Sequence, residues 1–190
     1  MGLLCKIHIM IRILIITFIT MNYLYPKNSH TVEIKNLFIE SQHAPAFNVL
    51  TMGSFESKKV GYFAWAFANE FWAEGYGGLT YMPTSYIQLG LGFGAEKSDD
   101  PFRIGSMFWV GKDNWSVLTL FESGGSGYWH QINAIYQLSR NIGIGLMKEE
   151  FTGVGPRLEF SLSNLPIQLW FSLLQLDGSL NKYFTIKFLL

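Results

Sequence analysis

The sequence predicts an all-β protein: a closed antiparallel up-and-down β-barrel of about ten strands, within a range of about 8 to 12, that crosses a membrane. Three observations lead to this prediction. Charged residues make up only 15% of the chain and apolar residues 49%, whereas typical soluble domains carry roughly 25% charged residues. From residue 58 onward the dominant hydrophobic period is two, as in a strand. After residue 24 no stretch approaches the roughly 20 apolar residues that a membrane-spanning helix needs, so strands must cross instead.

The first 26 residues are predicted to be an N-terminal signal peptide or, alternatively, an uncleaved N-terminal anchor. Lys6 and Arg12 precede the apolar run 13–21, which is short for a membrane-spanning helix and correctly placed for the core of a secretory signal. We therefore expect the protein to be exported. The single cysteine, Cys5, lies in this segment, so disulfide and thiolate chemistry are not expected in a cleaved chain.

The next segment, residues 27–57, is more polar and less regular than the rest of the chain. Pro45, His30 and His43 are among its irregular features. The segment is predicted to be a lead-in to the barrel or a plug for its lumen. Residues 32–35 and 47–50 could each form a short strand or lie in the plug, and the pattern alone does not decide between these alternatives.

Residues 58–190 are predicted to form the barrel itself. Leu89, Leu91 and Phe93 alternate with glycines, which leaves one bulky apolar face and one small face on the same strand. We expect the apolar faces to point to lipid and the small or charged faces to point inward. On this basis Phe63, Leu89, Ile144 and Phe160 should face lipid. The predicted strands are 59–69, 71–82, 85–96, 102–111, 115–122, 127–138, 141–150, 153–163, 167–176 and 180–190.

The connections between these strands alternate in character, with one set tight and the other mostly longer or more acidic. The last strand alternates Phe184, Ile186, Phe188 and Leu190 to the final residue. In these features residues 58–190 resemble bacterial outer-membrane β-barrel proteins as a class, although Leu190 stands where an aromatic residue is usual. The resemblance implies an outer-membrane location, a periplasmic position for residues 27–57, and recognition of the C-terminal strand by the barrel-insertion machinery.

Several polar and charged side chains fall on the faces assigned to the lumen. They have two interpretations: ion pairs that fill the interior and fix the register, or a polar path for ions or a small solute. The sequence leaves both open. The predicted lumen residues are Glu74, Gln88, Glu96, Arg103, Gln131, Asn133, Arg157, Glu159, Gln168 and Lys187.

One group of residues has the composition of an acyl-transfer site. Glu122, Ser126 and His130 are predicted to lie at one rim, and a serine, histidine and carboxylate can act as nucleophile, base and orienting group. Ser126 lies in a glycine-rich turn, however, which makes a flexible turn beside an ordinary strand histidine the simpler interpretation. The sequence therefore favours a structural barrel or narrow porin-like channel that is not an enzyme. A barrel-borne lipid-modifying acyl hydrolase and a soluble lipocalin-like binding barrel are the alternatives.

The sequence argues against several other classes of function. The net charge is zero, so there is no basic surface for nucleic acid. The run Gly90-x-Gly92-x-Gly94 lacks the following helix of a phosphate-binding loop, and the histidines show no metal-ligand spacing. No cofactor or metal is expected. The expected partners are membrane lipid and small ions or solutes, and the oligomeric state is not predicted. The six tryptophans are predicted to form interface girdles and packing contacts: Trp65, Trp72, Trp109, Trp115, Trp129 and Trp170. Sugar stacking is a lesser option for Trp72 or Trp129.

Overall fold

The computed structural model describes residues 29–39, 42–55 and 59–190, so the predicted export signal lies outside the described residues. No helix long and apolar enough to cross a membrane is present in these three ranges. The strands, in chain order, are β1 Ser29–Ile39, β2 Gln42–Ser54, β3 Val60–Asn69, β4 Ala73–Thr84, β5 Ile87–Glu96, β6 Phe102–Lys112, β7 Trp115–Gly124, β8 Gly127–Gln137, β9 Ile142–Glu149, β10 Gly153–Ser161, β11 Ile167–Leu176 and β12 Ser179–Leu189.

These twelve strands form one closed antiparallel barrel in which each strand pairs with its neighbours in sequence. The ring closes between β1 and β12, where Thr31 to Phe38 pair with Leu189 to Lys182. Closure gives every strand two partners and leaves no edge exposed. The predicted all-β, closed antiparallel architecture is confirmed. The strand number lies at the upper limit of the predicted range rather than at ten.

The two additional strands come from residues 27–57. The structure differs here from the predicted lead-in or plug, because β1 and β2 are part of the barrel wall. In β1 the side chains of Glu33 and Lys35 line the interior, while Ile34 between them is exposed on the outer face. This is the alternation of a barrel strand, but charged residues on its inner positions make the segment look like a polar linker. Pro45 is accommodated in β2, opposite Asn36 of β1.

The barrel has two rims. At the terminal rim β1 begins and β12 ends, and at the opposite rim β1 ends and β12 begins. From β3 to β12 the connections are short at both rims, from two residues (125–126) to five (97–101 and 162–166). The predicted difference in length between the two sets is therefore wrong, although the connections at the opposite rim are the more acidic ones, with Asp99, Asp100, Glu150 and Asp177. The connection between β11 and β12 is the dipeptide Asp177-Gly178 with φ values of 48° and 87°, which is the geometry of a two-residue hairpin turn.

Large apolar side chains cover the outer surface. Leu89 and Ile144 are exposed, as expected for outward positions, and Phe160 contacts the exposed ring of Phe171 on the neighbouring strand. Phe63 is the exception, since it is buried and lines the interior. The prediction that Phe63 faces lipid is therefore wrong.

The inward position of Phe63 follows from the glycines of β4 and β5. A Cβ atom built on Gly78 would lie 2.6 Å from Cε1 of Phe63, and one built on Gly92 would lie 2.6 Å from its Cζ. The phenyl ring thus occupies space that side chains would otherwise take at these positions. Packing an aromatic ring against strand glycines restores the contact that glycine lacks. The Phe63 ring fills the interior at this point because β4 and β5 have glycines, without side chains, at the inward positions beside it.

A small apolar core fills the interior at one side of the opposite rim. It consists of Met147, Trp170, Leu174 and Tyr183, with Leu37 packed against it. Trp170 and Leu174 are almost completely buried. Side chains from β9, β11, β12 and β1 therefore fill part of the lumen, as expected when a barrel is only slightly wider than its own side chains.

Candidate functional site

The barrel encloses a cavity of about 530 Å³ that runs along the inner face. Its lining divides into two walls according to the strands that supply it. One wall, from β8 through β12 to β1, carries amide and charged side chains: Gln131, Asn133, Arg157, Glu159, Gln168, Lys187, Glu33 and Lys35. The other wall, mainly from β6 and β7, is mostly apolar, with Met107, Trp109, Leu118 and Leu120, and it also carries Ser116 and Glu122. The lumen is therefore amphipathic around its circumference.

Arg103 is the centre of a buried charge cluster toward the opposite rim. Its guanidinium forms an ion pair with Glu96, lies 3.4 Å from Glu122 and lies 3.7 Å from Glu74. The Nε atom of Arg103 also donates to the Tyr76 hydroxyl at 2.6 Å. One cation is thus shared by three carboxylates, drawn from β4, β5 and β7. These contacts link strands across this part of the lumen, and Tyr76 and Glu122 bound the cavity there.

Ser126 belongs to the same cluster. Its backbone N–H donates to Glu96 Oε1 at 2.6 Å, and its hydroxyl donates to Glu96 Oε2 at 2.8 Å. Glu96 therefore accepts hydrogen bonds from the β7–β8 turn while it pairs with Arg103. The glycine-rich turn, which the sequence suggested to be flexible, is held to the barrel wall by this carboxylate.

A second cluster lies on the polar wall around Arg157. Its guanidinium pairs with Glu159 at 2.7 Å and donates to Asn133 Oδ1 at 2.9 Å. It also stacks over the Trp170 ring, with Cζ 4.0 Å from the ring centroid, a favourable cation–π geometry. Gln168 donates to the other oxygen of Glu159 at 3.2 Å. This cluster is balanced in charge, and the side chains of Arg157, Glu159, Asn133 and Gln168 are joined by hydrogen bonds.

A third cluster was missed in part by sequence analysis. Glu33 lies 3.6 Å from Lys35 and 3.8 Å from Lys187, and it accepts a hydrogen bond from Asn48 at 3.0 Å. Lys187 was predicted to face the lumen, whereas Glu33, Lys35 and Asn48 lay in the segment assigned to a lead-in or plug. The alternation of Thr31, Glu33 and Lys35 with apolar residues was the signal that could have identified them.

The remaining predicted lumen residues also lie on the inner face. Gln88 lines the cavity near the terminal rim, and Gln131 accepts a hydrogen bond from Asn133 at 3.0 Å. The structure brings the predicted residues into separate clusters rather than one site. No group of three metal-ligating side chains is present in the described ranges.

The structure does not bring Glu122, Ser126 and His130 together. Glu122 lines the lumen, and Ser126 is bound to Glu96. The strand ladder places His130 on the outer face, where its Nδ1 lies 2.5 Å from Glu150 Oε2. Because neighbouring positions of a strand alternate between faces, the imidazole and the Glu122 carboxylate lie on opposite sides of the wall. These three residues therefore do not form the arrangement required for a serine nucleophile and its base.

Four of the six tryptophans line the cavity rather than forming an outer girdle: Trp65, Trp109, Trp129 and Trp170. Trp115 is exposed on the outer face, as expected of a girdle residue. The prediction combined girdle and packing roles, and the four inner tryptophans do not take the girdle role. Inner positions opposite small residues have room for a large ring, and hydrophobicity alone does not distinguish such a position from a lipid-facing one.

The sequence matches no protein-family model and no curated protein. Among solved structures, it is similar to the KdgM porin, with a TM-score of 0.58 and 13% identity, over 83% of this chain and 98% of that chain. It is similar to the outer membrane protein Omp33 of Acinetobacter baumannii, with a TM-score of 0.54 and 6% identity, over 85% and 97% of the chains. The NanC porin gives a TM-score of 0.52 and 8% identity, over 83% and 98%.

These similarities show a shared fold at low sequence identity. The predicted resemblance to outer-membrane β-barrel proteins is confirmed at that level. A closed barrel with an amphipathic lumen can admit water and a small solute, and its charged side chains can select among the solutes that enter.

Proposed function

We propose that this chain is an integral barrel of a bacterial outer membrane and forms a narrow porin-like channel. The observation that carries the proposal is the combination of an apolar, exposed outer face with a polar cavity enclosed by a complete ring of strands. Leu79, Leu91, Phe93 and Leu146 are each more than half exposed. A soluble barrel would bury such residues, whereas a lipid-facing wall requires them.

The porin fold of the similar structures supports this assignment and the outer-membrane location. In the same proposal, residues 1–26 direct export and β12 presents Phe184, Ile186 and Phe188 to the insertion machinery. The channel is narrow because the Arg103 and Arg157 clusters occupy much of the lumen. The proposed channel is not an enzyme, and its charged clusters hold the wall together and set which solutes pass.

The proposal predicts ion conduction by the purified, folded protein. In planar bilayers containing KCl, we expect discrete current steps that persist across repeated insertions, because in this proposal ions cross along the polar side of the lumen. Folding is checked in parallel by gel migration, since a folded outer-membrane barrel shifts when it is boiled. Protein that shifts on boiling and inserts but carries no current would overturn the channel and leave a structural barrel.

The proposal also predicts an absence of acyl-hydrolase activity. Incubated with envelope phospholipid, the purified protein is expected to release no fatty acid, because His130 and Ser126 do not share a face of the wall. The His130→Ala variant should behave in the same way. Release of fatty acid by the parent that disappears in this variant would contradict the non-enzymatic assignment.

A further inference from the structure

The charged side chains on the inner face of the barrel are unequal in number. On the strands that the structure describes, six carboxylates point inward but only four cations do. The carboxylates are Glu33, Glu74, Glu96, Glu122, Glu149 and Glu159, and the cations are Lys35, Arg103, Arg157 and Lys187. When all ten groups are ionised, this inner face therefore carries two more negative than positive charges.

The excess of carboxylates lies toward the opposite rim. Arg103 is the single cation of its cluster and is shared by Glu74, Glu96 and Glu122. Glu74 is the second residue of β4 and Glu96 is the last residue of β5, so the cluster lies where these strands reach that rim. Charged side chains at a narrow point of a channel act on every ion that passes. This cluster therefore favours cations over anions at one end of the lumen.

Glu149 adds a further carboxylate at the same end. It is the last residue of β9 and pairs in the ladder with Gln131, which lines the cavity. Because residues directly opposite each other share a face, the Glu149 side chain also points inward. Its carboxylate accepts hydrogen bonds from the Tyr183 and Thr152 hydroxyls, and these groups carry no charge.

The two remaining clusters do not reverse this excess. Arg157 and Glu159 form an ion pair with no net charge. Glu33 lies between Lys35 and Lys187, which gives that cluster one positive charge more than it has negative. Lys35 is also attracted by the Glu149 carboxylate, so its charge is already shared. The positive excess at Glu33 is smaller than the negative excess toward the opposite rim.

Aromatic rings along the cavity favour the same sign of charge. The face of an aromatic ring carries partial negative charge and attracts cations. One ring of the lumen already interacts in this way, since the Arg157 guanidinium lies over Trp170. Four other rings line the cavity: Trp65, Tyr76, Trp109 and Trp129. Ring faces and carboxylates therefore both attract a cation that enters the lumen.

We propose that the channel passes small cations in preference to anions. The carboxylates of the Arg103 cluster and Glu149 set this preference toward the opposite rim, and the aromatic rings support it along the cavity. Charges inside a narrow lumen are screened by salt less than charges on an exposed surface. This inference rests on the proposed channel function and deepens it, because it names the class of solute that the channel takes.

The test is the reversal potential of the folded full-length protein in planar bilayers of uncharged lipid, with a KCl gradient between the two sides. A mildly alkaline pH keeps the carboxyl groups ionised and the lysines charged. We expect the permeability ratio of potassium to chloride to exceed about 3, since one unit charge at 4 Å in water changes the population of an ion roughly fivefold.

Variants that alter the inner charge should move the ratio in opposite directions. Glu122→Gln combined with Glu149→Gln leaves equal numbers of carboxylates and cations on the described inner face, and is expected to abolish the preference. Lys187→Gln removes a cation and is expected to raise the ratio roughly twofold. The matched control is Glu70→Gln, because Glu70 is an exposed carboxylate in the connection between β3 and β4 at the same rim. Salt screens such a charge, so its removal should leave the ratio unchanged.

Three results would overturn the inference: a parent that prefers chloride or neither ion, a double variant that keeps the parental ratio, or an equal loss in Glu70→Gln. If the double variant fails the heat-modifiability check, Lys187→Gln provides the comparison, and a ratio that does not rise contradicts the inference. Current without a cation preference contradicts the solute class and leaves the channel in place. Absence of current from folded, inserted protein contradicts the channel, and the inference with it.

Discussion

Replacing Arg103 with glutamine is expected to lower the free energy of unfolding by about 3 to 5 kcal/mol, the usual cost of removing one partner from a buried ion pair. Arg103 is 2% exposed and is the cation shared by Glu74, Glu96 and Glu122. Without it, three carboxylates repel one another in a confined space. The measurement is reversible urea unfolding of the barrel in lipid vesicles, followed by tryptophan fluorescence.

The matched control for Arg103 is Arg140→Gln, because Arg140 is exposed in the turn between β8 and β9. We expect that variant to stay within about 0.5 kcal/mol of the parent, as exposed substitutions usually do. Adding Glu96→Gln to the Arg103→Gln variant should restore part of the lost stability, because one unpaired carboxylate is removed. If the free energy of unfolding of Arg103→Gln equals that of the parent, the central role assigned to this cluster is contradicted.

The second large effect is expected at Gly92. A Cβ atom there would lie 2.6 Å from Cζ of Phe63 and 3.0 Å from the Gly77 carbonyl oxygen. Gly92→Ala should therefore displace the Phe63 ring and destabilise the barrel by about 1 to 3 kcal/mol, as overpacking does. The backbone entropy gained by replacing a strand glycine is smaller, roughly 0.5 to 1 kcal/mol. The same unfolding measurement applies.

Gly77 provides the control for this substitution. It lies on β4, and a Cβ atom there would meet nothing within 4 Å. Gly77→Ala is expected to be neutral or slightly stabilising. Combining Gly92→Ala with Phe63→Leu should recover part of the loss if the ring is the obstacle. Equal destabilisation by the two glycine substitutions would contradict the packing of Phe63 against β5.

Period-two alternation was sufficient to place many side chains on a face. The placement of Leu89 and Ile144 outward, and of Arg157 and Glu159 inward, agrees with that pattern. The pattern works because lipid excludes charged side chains from one face of every strand. It was insufficient for β1 and β2, where charged inner positions and Pro45 made a strand resemble a linker.

The candidate site was less predictable than the fold. Arg103 and Glu96 are close in sequence, but the contacts of Arg103 with Tyr76 and Glu122 depend on the register of β4 to β7. The pairing of Glu33 with Lys187 requires the first and last strands to meet. A periodic pattern assigns a side chain to a face but carries no information about which distant residue lies beside it.

The amino-acid pattern by itself determined that this chain forms an antiparallel barrel with an apolar exterior, because alternation and composition are properties of each strand taken alone. Only the tertiary structure decided the number of strands, the inward position of Phe63 and the separation of His130 from Glu122. Those features depend on ring closure and on the strand facing each side chain. The space around an inner side chain and the charges beside it are supplied by residues that lie far apart in the sequence.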